Sequence, residues 1–164
     1  MLALAAATGF IFSQSLKGGD DSASLSLTVT SALLRFFGVD PDSLSAALLE
    51  RVHFFVRKLA HFSEYALLGA LWFWCVRSFT AKKTTFILPP AAAFLTACID
   101  ETLQIFSLGR GNSFLDVLLD FSGAVCGAIF AWLTVFIALR ILKKRAAKKQ
   151  SDRGMAAFTN EEDR

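Results

Sequence analysis

Three apolar runs, residues 54–76, 86–106 and 114–139, are each long enough to cross a bilayer, and no other feature restricts the fold of this chain as much. About 20 apolar residues in a helix cover the roughly 30 Å of a hydrocarbon core. Lipid offers no hydrogen bonds, so each span must satisfy its own N–H and C=O groups, which a helix does within the segment. The bulk composition agrees. Of 164 residues 54% are hydrophobic, seventeen are Phe, and the mean hydropathy is +0.50. Soluble domains stay near 45–50% apolar even with glycine counted. The expected fold class is therefore all-α, a polytopic membrane helix bundle.

A fourth apolar stretch, residues 2–12, covers only about 17 Å as a helix. It has no basic leader and no small-residue cleavage site before Ser13-Gln14-Ser15, so it does not read as a signal peptide. It reads as a first transmembrane helix, short or clipped by a start codon assigned too late. That gives four transmembrane helices within a membrane domain over residues 1–145, followed by a charged tail over 146–164 that frays into solvent. Residues 13–51 form a polar connection, with short amphipathic helices expected over 31–37 and 42–49. Asp40 is placed to cap the second of these and Pro41 to enter its first turn.

The net charge is only +3, but it is unevenly placed. Arg140, Lys143, Lys144, Arg145, Lys148, Lys149 and Arg153 follow the last apolar run directly. This position suits anionic lipid headgroups, and no nucleic-acid partner is expected. Arg77, Lys82 and Lys83 mark the loop between the second and third helices as cytoplasmic. The expected location is a bacterial cytoplasmic (inner or plasma) membrane, multi-pass, with both termini inside. The turn over 107–113 and the connection over 13–51 then face outward. Cys75, Cys98 and Cys126 lie in apolar sequence without CxxC spacing and read as small buried hydrophobes.

Charges nevertheless stand inside the apolar runs. "RKLAHFSEYALLG" places Arg57, His61 and Glu64 on one helix face, with Lys58 and Tyr65 beside them. "DETLQ" groups Asp100, Glu101 and Gln104. In the last span Asp116, Asp120, Gly123 and Gly127 form one stripe, whose "GAVCG" is a GxxxG pattern for close helix approach. Given the orientation, all of these fall in the outer half of the bilayer. Charges there normally pair with one another or face a cavity. One reading is structural, with ion pairs stapling helices. Another makes His61, Glu64, Glu101 and Asp116 an acid–base set or the ligands of a divalent metal, although no HExxH motif is present. His53 reads as an interfacial surface residue, Tyr65 as an interfacial anchor, and Trp72 and Trp74 as belt residues. No serine has a nucleophile-elbow context.

The two motifs together, "RKLAHFSEYALLG" and "DETLQIFSLGRGNSFLDVLLDFSGAVCG", resemble the VanZ-like family of bacterial membrane proteins, as does "FIFSQS" near the start. The resemblance implies a small multi-helix membrane protein of a family associated with low-level resistance to the glycopeptide teicoplanin. Matching positions are Arg57, Lys58, His61, Glu64, Tyr65, Asp100, Glu101, Gln104, Arg110, Asp116 and Gly123. Leu108 stands where relatives often have proline, and Asp120 where many carry asparagine. Three functions stay open: action on the cell envelope at the outer leaflet, an intramembrane hydrolase or transferase acting on an envelope lipid, and a small proton-coupled transporter using His61. Membrane lipids, envelope precursors or glycopeptides are the expected partners. A transporter this small would need to form a homo-oligomer, and no inverted repeat is visible.

Overall fold

The computed structural model describes residues 1–80, 84–106 and 113–162, with side chains described as far as Gln150. All regular structure among the described residues is helical: α1 (Leu2–Ser15), α2 (Gly19–Phe36), α3 (Ala46–Phe79), α4 (Thr84–Ile105) and α5 (Phe114–Glu162). A single 3-10 turn, Pro41–Ser43, separates α2 from α3. Three helices are long and apolar enough to cross a membrane: α3, α4 and the Phe114–Gln150 part of α5. With 14 residues, α1 measures about 21 Å and falls short of the hydrocarbon thickness on its own.

The connection over 13–51 departs most from the sequence reading. It is largely one 18-residue helix, α2. Gly18 precedes it in extended conformation, and Asp20 and Asp21 place negative charge in its first turn, where the helix dipole favours it. It ends in a Schellman arrangement: Val39 N–H bonds Leu34 C=O, Gly38 N–H bonds Arg35 C=O, and Gly38 takes the left-handed φ of 78° that glycine tolerates best. Asp40 does act as a cap, but of the 3-10 turn, accepting from Asp42 N–H at 3.2 Å. Instead of a separate helix over 42–49, Ser45 caps the start of α3, accepting from Leu48 N–H at 3.4 Å. With no breaker beyond that point, α3 continues for 34 residues.

The chain divides into two compact units, Met1–Ile129 and Phe130–Arg164. In the first, α3 packs on α4, α1 packs on both, and α2 packs on α3. The buried core consists of Leu4, Ile11, Tyr65, Leu68, Ala93, Ala97, Val117 and Ala124. Its small residues bring backbones together. A Cβ at Gly69 would collide with the Ala124 backbone, one at Gly123 with Phe62 C=O, and one at Gly127 with Ala66 C=O. Helices α3 and α5 therefore touch main chain to main chain, as small-xxx-small faces allow.

These pairings also fix direction. Residues 62 and 66 of α3 meet 123 and 127 of α5, so the two helices run parallel. Met1 Sδ lies 3.3 Å from Cys75 Sγ, near the end of α3, whereas Ser15 meets Asp100, near the end of α4. Thus α1 runs antiparallel to α3 and parallel to α4. Outward-facing apolar side chains are abundant, with Phe55 66%, Ile87 67% and Leu95 63% exposed. In water such a surface would aggregate; lipid is the solvent it fits.

In the second unit Trp132 stacks on Phe136 at 5.5 Å, and the Arg140 guanidinium lies 4.6 Å over the same Phe136 ring. The backbone is helical to Glu162, through the stretch read as a solvated tail. A run rich in Ala, Lys, Arg and Gln has good intrinsic helix propensity, so a helical backbone and a solvated tail are compatible.

Candidate functional site

The end of α1, the first half of α3, the end of α4 and the start of α5 meet at one end of the first unit, and the charged side chains collect there. Asp100 on α4 is 1% exposed and fully engaged: Ser15 Oγ donates to Oδ1 and Gln104 Nε2 donates to Oδ2 at 3.1 Å. The Tyr65 ring from α3 is 0% exposed, within electrostatic reach of Asp100, Asp120 and Glu64. Its hydroxyl lies within hydrogen-bonding reach of the Asp100 carboxylate. This corrects the reading of Tyr65 as an interfacial anchor. Leu68 and Gly69, three and four residues on, are also buried, so Tyr65 lies on the inward stripe of α3.

Asp120 on α5 is equally enclosed. Its Oδ1 has no hydrogen bond and lies 4.0 Å from His61 Nδ1. Glu101 on α4 accepts the Ser113 backbone N–H through Oε1, while Oε2 is buried and has no hydrogen-bond partner among the described residues. This bond joins the end of α4 to the chain entering α5. Lys58 and Asp116 form an ion pair, each side chain being about a quarter exposed or slightly more, and Lys58 Nζ lies 5.2 Å over the Phe54 ring.

The structure thus gives His61, Glu64, Glu101 and Asp116 different surroundings. His61 faces Asp120, Asp116 pairs with Lys58, and Glu101 takes the Ser113 amide. Glu64 lines a cavity with Arg57 and His61. Among the described residues no three His, Cys, Asp or Glu side chains approach closely enough to hold a metal ion. Arg110, with the rest of the turn over 107–112, lies outside the described residues.

Two cavities adjoin the cluster. One of about 300 Å³ lies between α1, α2 and α3, with Gln14, Ser22, Arg57, His61 and Glu64 among its polar lining groups. A second, of about 220 Å³, is bounded by Cys98, Glu101, Thr102, Ile105, Phe114 and Val117. Helix α2 is fixed over α3 by Ser26 Oγ and His53 Nε2, 2.6 Å apart, so His53 is a half-buried link and not a free surface residue. Trp72 has a buried ring N–H, whereas Trp74 is 52% exposed.

Sequence reasoning missed Ser15 as a site residue. The available signal was its place at the end of an apolar helix, where a hydroxyl can turn inward to a buried acid. Gln14, Ser22 and Ser26 were missed because their segment was read as a loop.

A family model described as VanZ/LLP1 matches residues 1–137, which takes in the whole cluster. Comparison with curated proteins gave no match, nor did comparison with solved structures.

Proposed function

The chain belongs to the VanZ/LLP1 family, and on that premise we propose that it is an integral membrane protein acting on the cell envelope from the outer leaflet, contributing to glycopeptide (teicoplanin) resistance. The observation that carries this is the convergence of Tyr65, Asp100, Glu101 and Asp120 at one end of an otherwise apolar bundle, beside a cavity lined by Arg57, His61 and Glu64. Buried charges within membrane helices are retained where a polar group must be met at that depth. We read α1 as a fourth membrane helix, completed by its packing on α3 and α4 with Leu4 and Ile11 inward. Both termini are then cytoplasmic, and the basic cluster after residue 139 lies on that side.

The test is deletion of the gene, with teicoplanin and vancomycin susceptibility measured in parallel. A selective rise in teicoplanin susceptibility is expected; unchanged responses to both drugs would remove the resistance role.

A second reading, acid–base hydrolysis or transfer on an envelope lipid, is favoured by the buried carboxylate oxygens Glu101 Oε2 and Asp120 Oδ1, which have no hydrogen-bond partner among the described residues. Groups in this state are poised to accept a proton or a hydrogen bond from a ligand. Glu101→Gln, Asp120→Asn and Glu64→Gln preserve shape. If all three complement the deletion fully at normal expression, acid–base chemistry is untenable.

A further inference from the structure

Arg57 and Lys58 are neighbours on α3 with opposite situations. Lys58 is neutralised by Asp116, whereas Arg57 makes no ion pair or hydrogen bond with any described residue. The Arg57 side chain is half-buried, belongs to a membrane-spanning helix and lines the cavity of about 300 Å³ between α1, α2 and α3. A guanidinium at such a depth is costly unless an anion or water reaches it. Its planar fork matches phosphate oxygens two at a time.

The remaining lining narrows the anion. Phe10, Val29 and Val56 make much of the wall apolar. Val29 and the neighbouring lining residue Leu25 are about half exposed, so the apolar wall continues onto the outer surface of α2. The volume is at the small end for ligand sites, which run from roughly 300 to 1,000 Å³. It holds a headgroup and its first methylenes, while an attached chain would leave along α2. Glu64 on the same wall disfavours a doubly charged phosphate monoester and can take a hydroxyl or amine of a headgroup.

We propose that this cavity binds the phosphate diester headgroup of a membrane lipid, with Arg57 as the anion contact. This deepens the envelope reading by naming the ligand class, and it rests on the membrane placement of that reading and not on resistance.

The test is native mass spectrometry of the full chain in detergent, titrated with phosphatidylglycerol and, separately, with diacylglycerol of the same chains. Wild type is expected to retain one phosphatidylglycerol. Arg57→Ala should bind it at least tenfold more weakly, and Arg57→Lys should recover part of that loss. Ala60→Phe fills the cavity with Arg57 intact, should lose the lipid equally, and decides the matter if Arg57→Ala fails to fold. Phosphatidylglycerol held by Arg57→Ala as by wild type, or diacylglycerol held as tightly as phosphatidylglycerol, would overturn the proposal. Displacement by millimolar inorganic phosphate would overturn the assignment to a lipid, since the phosphate alone would then suffice. Lipid retention and drug susceptibility are read separately, so either idea can fail without the other.

Discussion

Asp100 and Asp120 are both nearly inaccessible, yet removing the carboxylate should cost stability only at Asp100. Asp100 receives two donors, Ser15 Oγ and Gln104 Nε2. Asp100→Ala strands both, and each buried group left without a partner costs about 1–3 kcal/mol. A clear fall in the detergent melting temperature is expected, much reduced in Asp100→Asn, which keeps an acceptor for Ser15. Among the described residues Asp120 Oδ1 has no hydrogen bond, and His61 Nδ1 lies 4.0 Å away. Asp120→Asn keeps the shape and removes the cost of burying an ionisable carboxyl among other acids, so its melting temperature should equal or exceed that of wild type. A marked loss at Asp120→Asn would show that the carboxylate is structurally satisfied in a way this geometry does not provide. The acids were legible in the sequence because a charge inside an apolar run is an anomaly in its own right. Ser15 was not, because a serine after an apolar run is ordinary punctuation, and only the fold reveals that it turns toward an acid 85 residues away.

At the scale of elements, the glycines separate packing from chain freedom. A side chain at Gly127 would collide with the Ala66 carbonyl, and backbone cannot swing aside as a flexible side chain can. Gly127→Val is expected to force α3 and α5 apart and abolish a cooperative thermal transition. Nothing lies within 4 Å of a Cβ at Gly9, in the middle of α1. Gly9→Ala should therefore be neutral or stabilise by up to about 1 kcal/mol through helix propensity. Equal effects at the two sites would contradict the close α3–α5 contact. The GxxxG spacing was readable because it repeats at helical period beside apolar residues. Helix α2 was not, because "SASLSLTVTSALL" alternates polar and apolar residues like a strand or an irregular loop. The structure shows why it is a helix nonetheless. Thr28 and Thr30 hydroxyls bond carbonyls four residues back, and Ser24 and Ser26 bond those three back, so local polarity is absorbed into the helix itself.

For the molecule as a whole, helix directions and charge placement can be tested against each other. Within the first unit α3 runs parallel to the start of α5, and α1 runs parallel to α4. Arg77 near the end of α3 and the cluster from Arg140 to Lys149 in α5 each follow a membrane-spanning stretch in the sequence. In the proposed topology both lie in the cytoplasm, as the positive-inside tendency favours. In a cysteine-free background, Asp42→Cys in the exposed 3-10 turn should react with an impermeant maleimide on intact cells, and Ser78→Cys should react only after permeabilisation. Replacing Arg140, Lys143, Lys144, Arg145, Lys148 and Lys149 by Gln removes the strongest orienting term while leaving the apolar spans intact. If these charges set the orientation, the Ser78→Cys chain should then label partly from outside, because each juxtamembrane cation contributes only about 1 kcal/mol and the signal is their sum. Labelling of Ser78→Cys from outside with the cluster intact would invert the molecule, carrying Tyr65, Asp100 and Asp120 to the cytoplasmic half and removing direct action on the outer leaflet.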